Sequence, residues 1–307
     1  MRKVTLIRGA RQLLTLRGPS GPRRGPDLGN LGIIQDGAVL IADGLIAEVG
    51  PSRRLENLAL ARGAELIDAS GCVVLPGFVD SDIHLVRGAT QKPSPRALKT
   101  LALRVLEDAV RCGTTAFETK SADPKILRVH AALRELPLTL VSTFVAAGLT
   151  LDAAERVLAL VRRRKLAEFA ETAPGAPRVN VLSPVIAFDT SGECYPDARM
   201  LIDHGAAIAL GTGVNPPNLQ TTIALACNAM GMTPAEAITA STINGAHAMR
   251  RAGSIGSIEA GKSADLTILS VPDYRELPYH FGVNLVSLVM IRGTVLVERS
   301  EVKWPAR

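Results

Sequence analysis

A chain of 307 residues, 47% hydrophobic and 21% charged, is long enough to bury one large core, alone or with a smaller companion domain. That composition excludes a disordered or fibrous protein, and 3% aromatic residues beside a formal charge of +6 argue against a base-stacking nucleic-acid groove. An anionic small molecule, or no charge-selected partner at all, fits the surplus of positive charge equally well. No window approaches about 18 uninterrupted apolar residues, and Met1-Arg2-Lys3 leads into too short an apolar run for a secretory signal, so no membrane association is expected. Cys72, Cys112, Cys194 and Cys227 form no Cys-x-x-Cys pair and read as small buried hydrophobes in a reducing compartment, which makes a cytoplasmic location the default.

In chain order, residues 4–16 read as an extended run. The Gly-, Pro- and Arg-rich stretch 17–32 has little to bury and is expected to be a mobile loop. Residues 38–41 and 45–49 alternate around Asp43-Gly44, a hairpin signature, and 65–68 with 72–75 form a second strand pair. After Pro76-Gly77 strands and helices alternate. Strands are expected at 73–79, 114–118, 138–144, 179–188 and 206–211, and helices at 94–111, 123–136, 151–171, 195–204, 219–231 and 233–250. Thr233, Pro234 and Glu236 form a capping sequence for the last of these. Strands return at 265–270, 286–292 and 294–298. Such an order predicts an α/β fold in which a βα domain (74–250) is inserted between an amino-terminal half (1–73) and a carboxyl-terminal half (251–307) of one β domain.

The apolar strand Val73-Val74-Leu75-Pro76-Gly77-Phe78-Val79 ends in Asp80-Ser81-Asp82-Ile83-His84. In a parallel α/β barrel the carboxyl ends of the strands carry the reactive groups, and residues two apart point the same way, so Asp82 and His84 are a candidate ligand pair. Glu118, Lys120 and Asp189 are further strand-end candidates. His130, His204, His247 and His280 read as surface or satisfied packing histidines, and Arg162-Arg163-Arg164-Lys165 as a solvated helix end. Gly211-Thr212-Gly213 is too short for a dinucleotide fingerprint.

Val74 to Ser81, the helix holding Thr242-Ile243-Asn244-Gly245-Ala246, and Gly256 to Leu266 (Gly-Ser-Ile-Glu-Ala-Gly-Lys-Ser-Ala-Asp-Leu) resemble the amidohydrolase superfamily. Asp273 to Asn284 (Asp-Tyr-Arg-Glu-Leu-Pro-Tyr-His-Phe-Gly-Val-Asn), with Glu118-Thr119-Lys120-Ser121, is similar to the imidazolonepropionase family. The resemblance implies a (β/α)8-type barrel with a composite β-sandwich built from both termini. It also implies a divalent metal, zinc or iron, and hydrolysis of 4-imidazolone-5-propanoate to N-formimidoyl-glutamate in histidine degradation. A bound cation makes hydroxide available near neutral pH and a carboxylate moves its proton. By that pattern His84 is a metal ligand, Asp82 stands where the family has its other first-strand histidine, and Lys120 and Asn215 belong to the substrate site.

Departures from the pattern carry their own expectation. Gly213 replaces the family's aspartate ligand. Between Glu171 and Val179 the chain passes over the family's His-Ala-Asp-Glu and Asp-His-Leu-Glu-His segments. Gln91 and Ala122-Asp123 replace substrate-loop residues. A catalytic zinc takes about three protein ligands, and two remain in register. A complete barrel takes about 250 residues, and the segment 74–250 has 177. The expectation is therefore an incomplete, catalytically impaired barrel, either completed by a second copy or a partner chain or a decayed product of limited stability. The alternative is an active metal-dependent hydrolase of cyclic amide C–N bonds with a rebuilt site.

Overall fold

The computed structural model describes residues 3–86, 94–146, 148–171, 179–190, 194–213, 217–298 and 301–304. The amino-terminal part comprises β1 (Val4–Leu14), β2 (Ile33–Ala42), β3 (Leu45–Pro51), the short helix α1 (Ser52–Glu56), β4 (Glu65–Asp68) and β5 (Val73–Pro76). Then come β6 (Phe78–Asp80), α2 (Pro95–Arg111), β7 (Thr114–Ser121), α3 (Pro124–Leu133), β8 (Thr139–Val145), α4 (Leu151–Arg164) and β9 (Phe169–Glu171). The chain continues through β10 (Asn180–Leu182), α5 (Pro184–Asp189), α6 (Ala198–Asp203), β11 (Ile208–Leu210), α7 (Leu219–Ala229), α8 (Pro234–Ala240) and α9 (Ile243–Ala248). It ends with β12 (Leu266–Leu269), β13 (Val286–Ile291), β14 (Thr294–Glu298) and β15 (Glu301–Val302).

Both ends of the chain share one nine-stranded sheet, ordered β15-β14-β13-β12-β5-β1-β2-β3 with β4 also on β1. The join is β5, which lies parallel to β1 and antiparallel to β12, pairing Val74 with Leu13 on one side and Ile268 on the other. Two hairpin turns face each other across this sheet. Asp43-Gly44 and Arg292-Gly293 all have positive φ, the geometry of a tight hairpin whose twist matches its strands. A Cβ on Gly44 would meet the Arg292 carbonyl oxygen at 2.8 Å and one on Gly293 would meet the Gly44 Cα at 2.9 Å, so the two turns pack backbone to backbone.

The parallel strands form two hydrogen-bonded sets, β6-β7-β8-β9 and β10-β11. The end of β6 carries the contact between them: Gly213 N donates to Asp82 O at 2.7 Å, and Ile83 bridges to Gly213 in parallel. The order is then β10-β11-β6-β7-β8-β9, with β9 and β10 at the two edges. Only eight residues separate Glu171 from Asn180, whereas a crossover between adjacent parallel strands takes about a dozen or more. The floor under this open run is continuous. Ala246 of α9 and Met249 at its C-cap pack with Val79, Ala116 and Val141, close to the starts of β6, β7 and β8, while Ala248 packs with Val179, Ala207 and Ala209 beside β10 and β11. Just past α9, the Arg250 guanidinium sits 4.3 Å over the Phe169 ring of β9.

Several expected elements end or divide differently. The expected strand 73–79 is two strands in two sheets, divided at Gly77, where a Cβ would lie 2.3 Å from the Thr115 side chain. The expected helix 151–171 stops at Arg164: Lys165 takes the left-handed conformation and Leu166 N reaches back to Val161 O at 3.0 Å, a helix-ending motif that frees Phe169–Glu171 to pair with β8. The expected strand 179–188 is strand only to Leu182, because Pro184 opens α5. The expected helix 233–250 breaks after Ala240. There the Thr242 hydroxyl bonds the Ile238 carbonyl at 2.6 Å, a side-chain bond that competes with helical pairing. The capping box on Thr233 and Glu236 is formed as expected.

Residues 17–32 are not a loose loop. Leu28 and Leu31 are buried, and Asn244 of α9 grips the Arg23 backbone in both directions, accepting from its N at 2.7 Å and donating to its O at 3.0 Å. Thr239 adds a bond to Leu28 O. The composition of the segment hid two leucines and a backbone that a buried asparagine could hold.

Candidate functional site

The site is built outward from Asp80, at the end of β6. Its side chain is fully buried and accepts three hydrogen bonds, from Thr212 N at 3.0 Å, Thr212 Oγ1 at 2.6 Å and Asp82 N at 3.2 Å. Burial nonetheless pushes its carboxyl up to about 7, the three donors opposing it. Asp80 thus ties β6 to the end of β11. The sequence signal for Asp80 is a single aspartate closing an apolar strand.

Beyond Asp80 the chain runs between two neighbours: Ile83 N donates to Glu118 O of β7 at 2.9 Å, and Gly213 closes on the other side. Asp82 is half-buried, and its Oδ2 accepts from Ser183 Oγ at 3.5 Å. His84 is exposed, with Nδ1 against the Gly213 carbonyl oxygen. The two expected ligands therefore share a strand end, and Nδ1 of one of them is engaged by the backbone opposite.

Glu118 and Lys120 share a face of β7. Glu118 is buried and accepts from Thr143 Oγ1 at 2.7 Å; burial raises its carboxyl, the Thr143 bond and Lys120 oppose the shift, and Glu171 and Asp82 add to it. Lys120 Nζ lies 3.3 Å from Glu171 Oε1 of β9. Asp189, expected at a strand end, is exposed at the last position of α5, because the segment turns helical after Leu182. Asn215 and Gln91 lie outside the described residues. His130 is a buried packing histidine between Thr119 Oγ1 (3.4 Å) and Ser142 Oγ (3.3 Å), and His204 is exposed on the Met200 carbonyl. Cys194 is exposed and the other three cysteines are half-buried, so none fills the fully buried place expected of it.

Among the described residues the family's ligand set is not complete. Gly213, where the family pattern has its carboxylate ligand, has φ +65, and a Cβ there would lie 2.6 Å from Ile186 Cδ1 and 2.8 Å from Ile186 Cγ1. A side chain at Gly213 would require the Ile186 side chain of α5 to move. Among the described residues no three His, Cys, Asp or Glu side chains are grouped to hold an ion. Among the same residues no helix is long and apolar enough to cross a membrane.

Residues 187–296 match the family model described as the amidohydrolase family. Solved structures agree in fold. A triazine hydrolase variant superposes with a TM-score of 0.74 at 16% identity, covering 97% of this chain and 96% of that one, and E. coli guanine deaminase with 0.72 at 13%, covering 97% and 99%. Atrazine chlorohydrolase from Arthrobacter aurescens, complexed with zinc, gives 0.73 at 16%, covering 97% and 96%. The imidazolonepropionase of Solibacter usitatus is 31% identical over 409 aligned positions, covering 94% of this chain and 98% of its own. That of Brevibacillus brevis is 31% identical over 422, covering 97% and 99%. The chain belongs to the imidazolonepropionase family, within the amidohydrolases. Both alignments are longer than the 307-residue chain, so the relatives carry internal segments that this chain lacks.

Proposed function

We propose that this chain is a family member that has lost metal-dependent hydrolysis of 4-imidazolone-5-propanoate and persists as a binding or scaffolding protein. One observation carries the reading: Ile186 stands where a side chain at Gly213 would begin. The engagement of His84 Nδ1 by the Gly213 carbonyl and the substitution of Asp82 for a histidine support it. The run β10-β11-β6-β7-β8-β9 reads as a (β/α)8-type barrel without the units between β9 and β10, and the nine-stranded sheet as its flanking sandwich. Among the described residues no strand pairs with the outer edges of β9 and β10, which favours completion by a second copy or a partner chain, since open strand edges seek pairing; light scattering that gives a cooperatively melting monomer would exclude this. Four free cysteines accord with a cytoplasmic setting.

Elemental analysis combined with an imidazolonepropanoate hydrolysis assay tests the reading. The expected result is far less than stoichiometric metal and no turnover. Zinc or iron near one per chain, with turnover lost in His84→Ala, would overturn it. A second reading, an active hydrolase of cyclic amide C–N bonds with a rebuilt site, draws on Glu118: a buried carboxyl raised above its ordinary range beside Asp82 has the form of an acid–base pair. The same two measurements separate them.

A further inference from the structure

The amino end of β9 is flanked by cations from two unrelated parts of the chain. Arg162, Arg163 and Arg164 occupy the last turn of α4 and Lys165 its C-cap, and all four are exposed. The Arg134 guanidinium donates to the Lys165 and Leu166 carbonyl oxygens, each at 2.9 Å, and so fixes the turn that leads from α4 into the strand. From the floor, Arg250 lies 4.3 Å over the Phe169 ring and Arg251 lies 6.0 Å from it, with Arg251 paired to Glu168. Cations at a helix end complement its dipole, which accounts for Arg162 to Arg164. It does not account for two more arginines arriving from beyond α9. Among the described residues Arg162, Arg163, Arg164, Lys165 and Arg250 form no ion pair, and Glu168 is the carboxylate that answers this collar. The same strand lacks a neighbour: Phe169, Ala170 and Glu171 pair with Thr143, Phe144 and Val145 of β8, and among the described residues no strand pairs with the other edge.

We infer that the β9 edge and its arginine collar form a docking site for an acidic, extended segment of another protein, which adds as a strand to β9 and sets its carboxylates among the collar cations. The inference rests on the reading that this chain works as a binding protein with an open barrel. Unpaired main-chain groups along a sheet edge hydrogen-bond to an extended peptide, and charge selects which peptide. A second copy is the poorer occupant. Pairing β9 with β9 would set collar against collar, and the outer edge of β10 offers Asn180-Val181-Leu182, which bring no negative charge. A nucleic acid gains nothing from a strand edge, and the aromatic ring at the collar, Phe169, carries Arg250 over it instead of lying open to a base.

Fluorescence anisotropy of the full chain with labelled probes tests this. The probe is an extended peptide alternating Glu and Val. Its controls are the Gln-for-Glu counterpart, the acidic peptide N-methylated at alternate residues so that one edge cannot pair, and oligothymidylate of equal charge. The acidic peptide is expected to bind about tenfold more tightly than each control and to weaken as salt rises. Arg162→Gln/Arg163→Gln/Arg164→Gln should weaken it by about tenfold while leaving the melting temperature in place. The inference is overturned if the triple variant binds like the wild type, if N-methylation costs nothing, or if oligothymidylate binds at least as tightly. A wild type that is dimeric without peptide and monomeric as the triple variant, by light scattering, would give the edge to a second copy and overturn it too. It fails separately from the functional reading: an inactive, metal-poor chain that ignores the acidic peptide sinks only the docking site, whereas metal near one per chain with turnover sinks the reading beneath it.

Discussion

Asp80 and Thr212, 132 residues apart, are joined twice, through the Thr212 amide at 3.0 Å and its hydroxyl at 2.6 Å. Both residues are fully buried, and this double bond stands at the seam where the two sets of parallel strands meet. Thr212→Val keeps the shape and the amide bond but strips one acceptor oxygen of Asp80 of its partner in a dry setting. A loss of about 1–3 kcal/mol is expected, the usual cost of an unsatisfied buried polar group. Urea unfolding measures it; an unchanged midpoint would show the seam is held by something else.

Asn244 makes three buried side-chain bonds, two to Arg23 and one, at 2.8 Å, to Ile208 O of β11. Asn244→Ala frees the segment 17–32 from α9 and leaves backbone groups unpaired. The expected cost is about 2–4 kcal/mol, together with new protease cleavage between residues 17 and 32 under native conditions. Cleavage confined to other sites would contradict the grip.

His130 gives the chain an acid limit. Burial first, and Arg134 second, push its imidazole down to about 4 from an ordinary 6.5. At pH 7 it is neutral both folded and unfolded. As pH falls below about 6.5 the unfolded chain takes up a proton that the folded one refuses, so stability declines until about pH 4 and then levels, by about 3 kcal/mol in all. His130→Gln removes this contribution. The difference in unfolding free energy between wild type and variant should therefore shrink or reverse toward acid, and a constant difference from pH 7 to 4 would refute the assignment.

Restoring the family's carboxylate alone should do harm. Gly213→Asp puts a side chain at positive φ and against Ile186, and a loss of about 1–3 kcal/mol is expected with no zinc gained. Ile186→Ala made together with it should recover part of that loss. Stoichiometric zinc in the single variant, by elemental analysis, would show the space to be more forgiving than its contacts.

The parts of this architecture that were legible in advance are those written in local chemistry. Asp43-Gly44 sits in a hairpin turn because two positive-φ positions suit those residues, and Thr233 with Glu236 caps α8 because the capping box is a four-residue device. What could not be read locally depends on contacts across the chain. Gly77 divides one apolar run into two strands because Thr115 leaves no room for a side chain, and Lys165 ends α4 early with no glycine to announce it. At the site, Asp82 and His84 were recognised by their spacing on one strand, yet the direction of His84 is set by the carbonyl of Gly213, and the importance of Asp80 by a threonine far along the chain.

The sheet that joins the two ends has a consequence for the birth of the molecule. Its central strand β5 has β1 on one flank from the start, but its other flank is filled by β12, whose register partner for Val74 is Ile268. While the chain emerges from the ribosome, β5 and the hydrophobic face behind it stay half-covered until nearly the whole protein has been made. Contacts so distant in sequence also close slowly. The two back-to-back turns at Gly44 and Gly293 are then among the last parts to lock, so late truncations, after synthesis of the parallel strands but before β12, should yield insoluble rather than partly folded product.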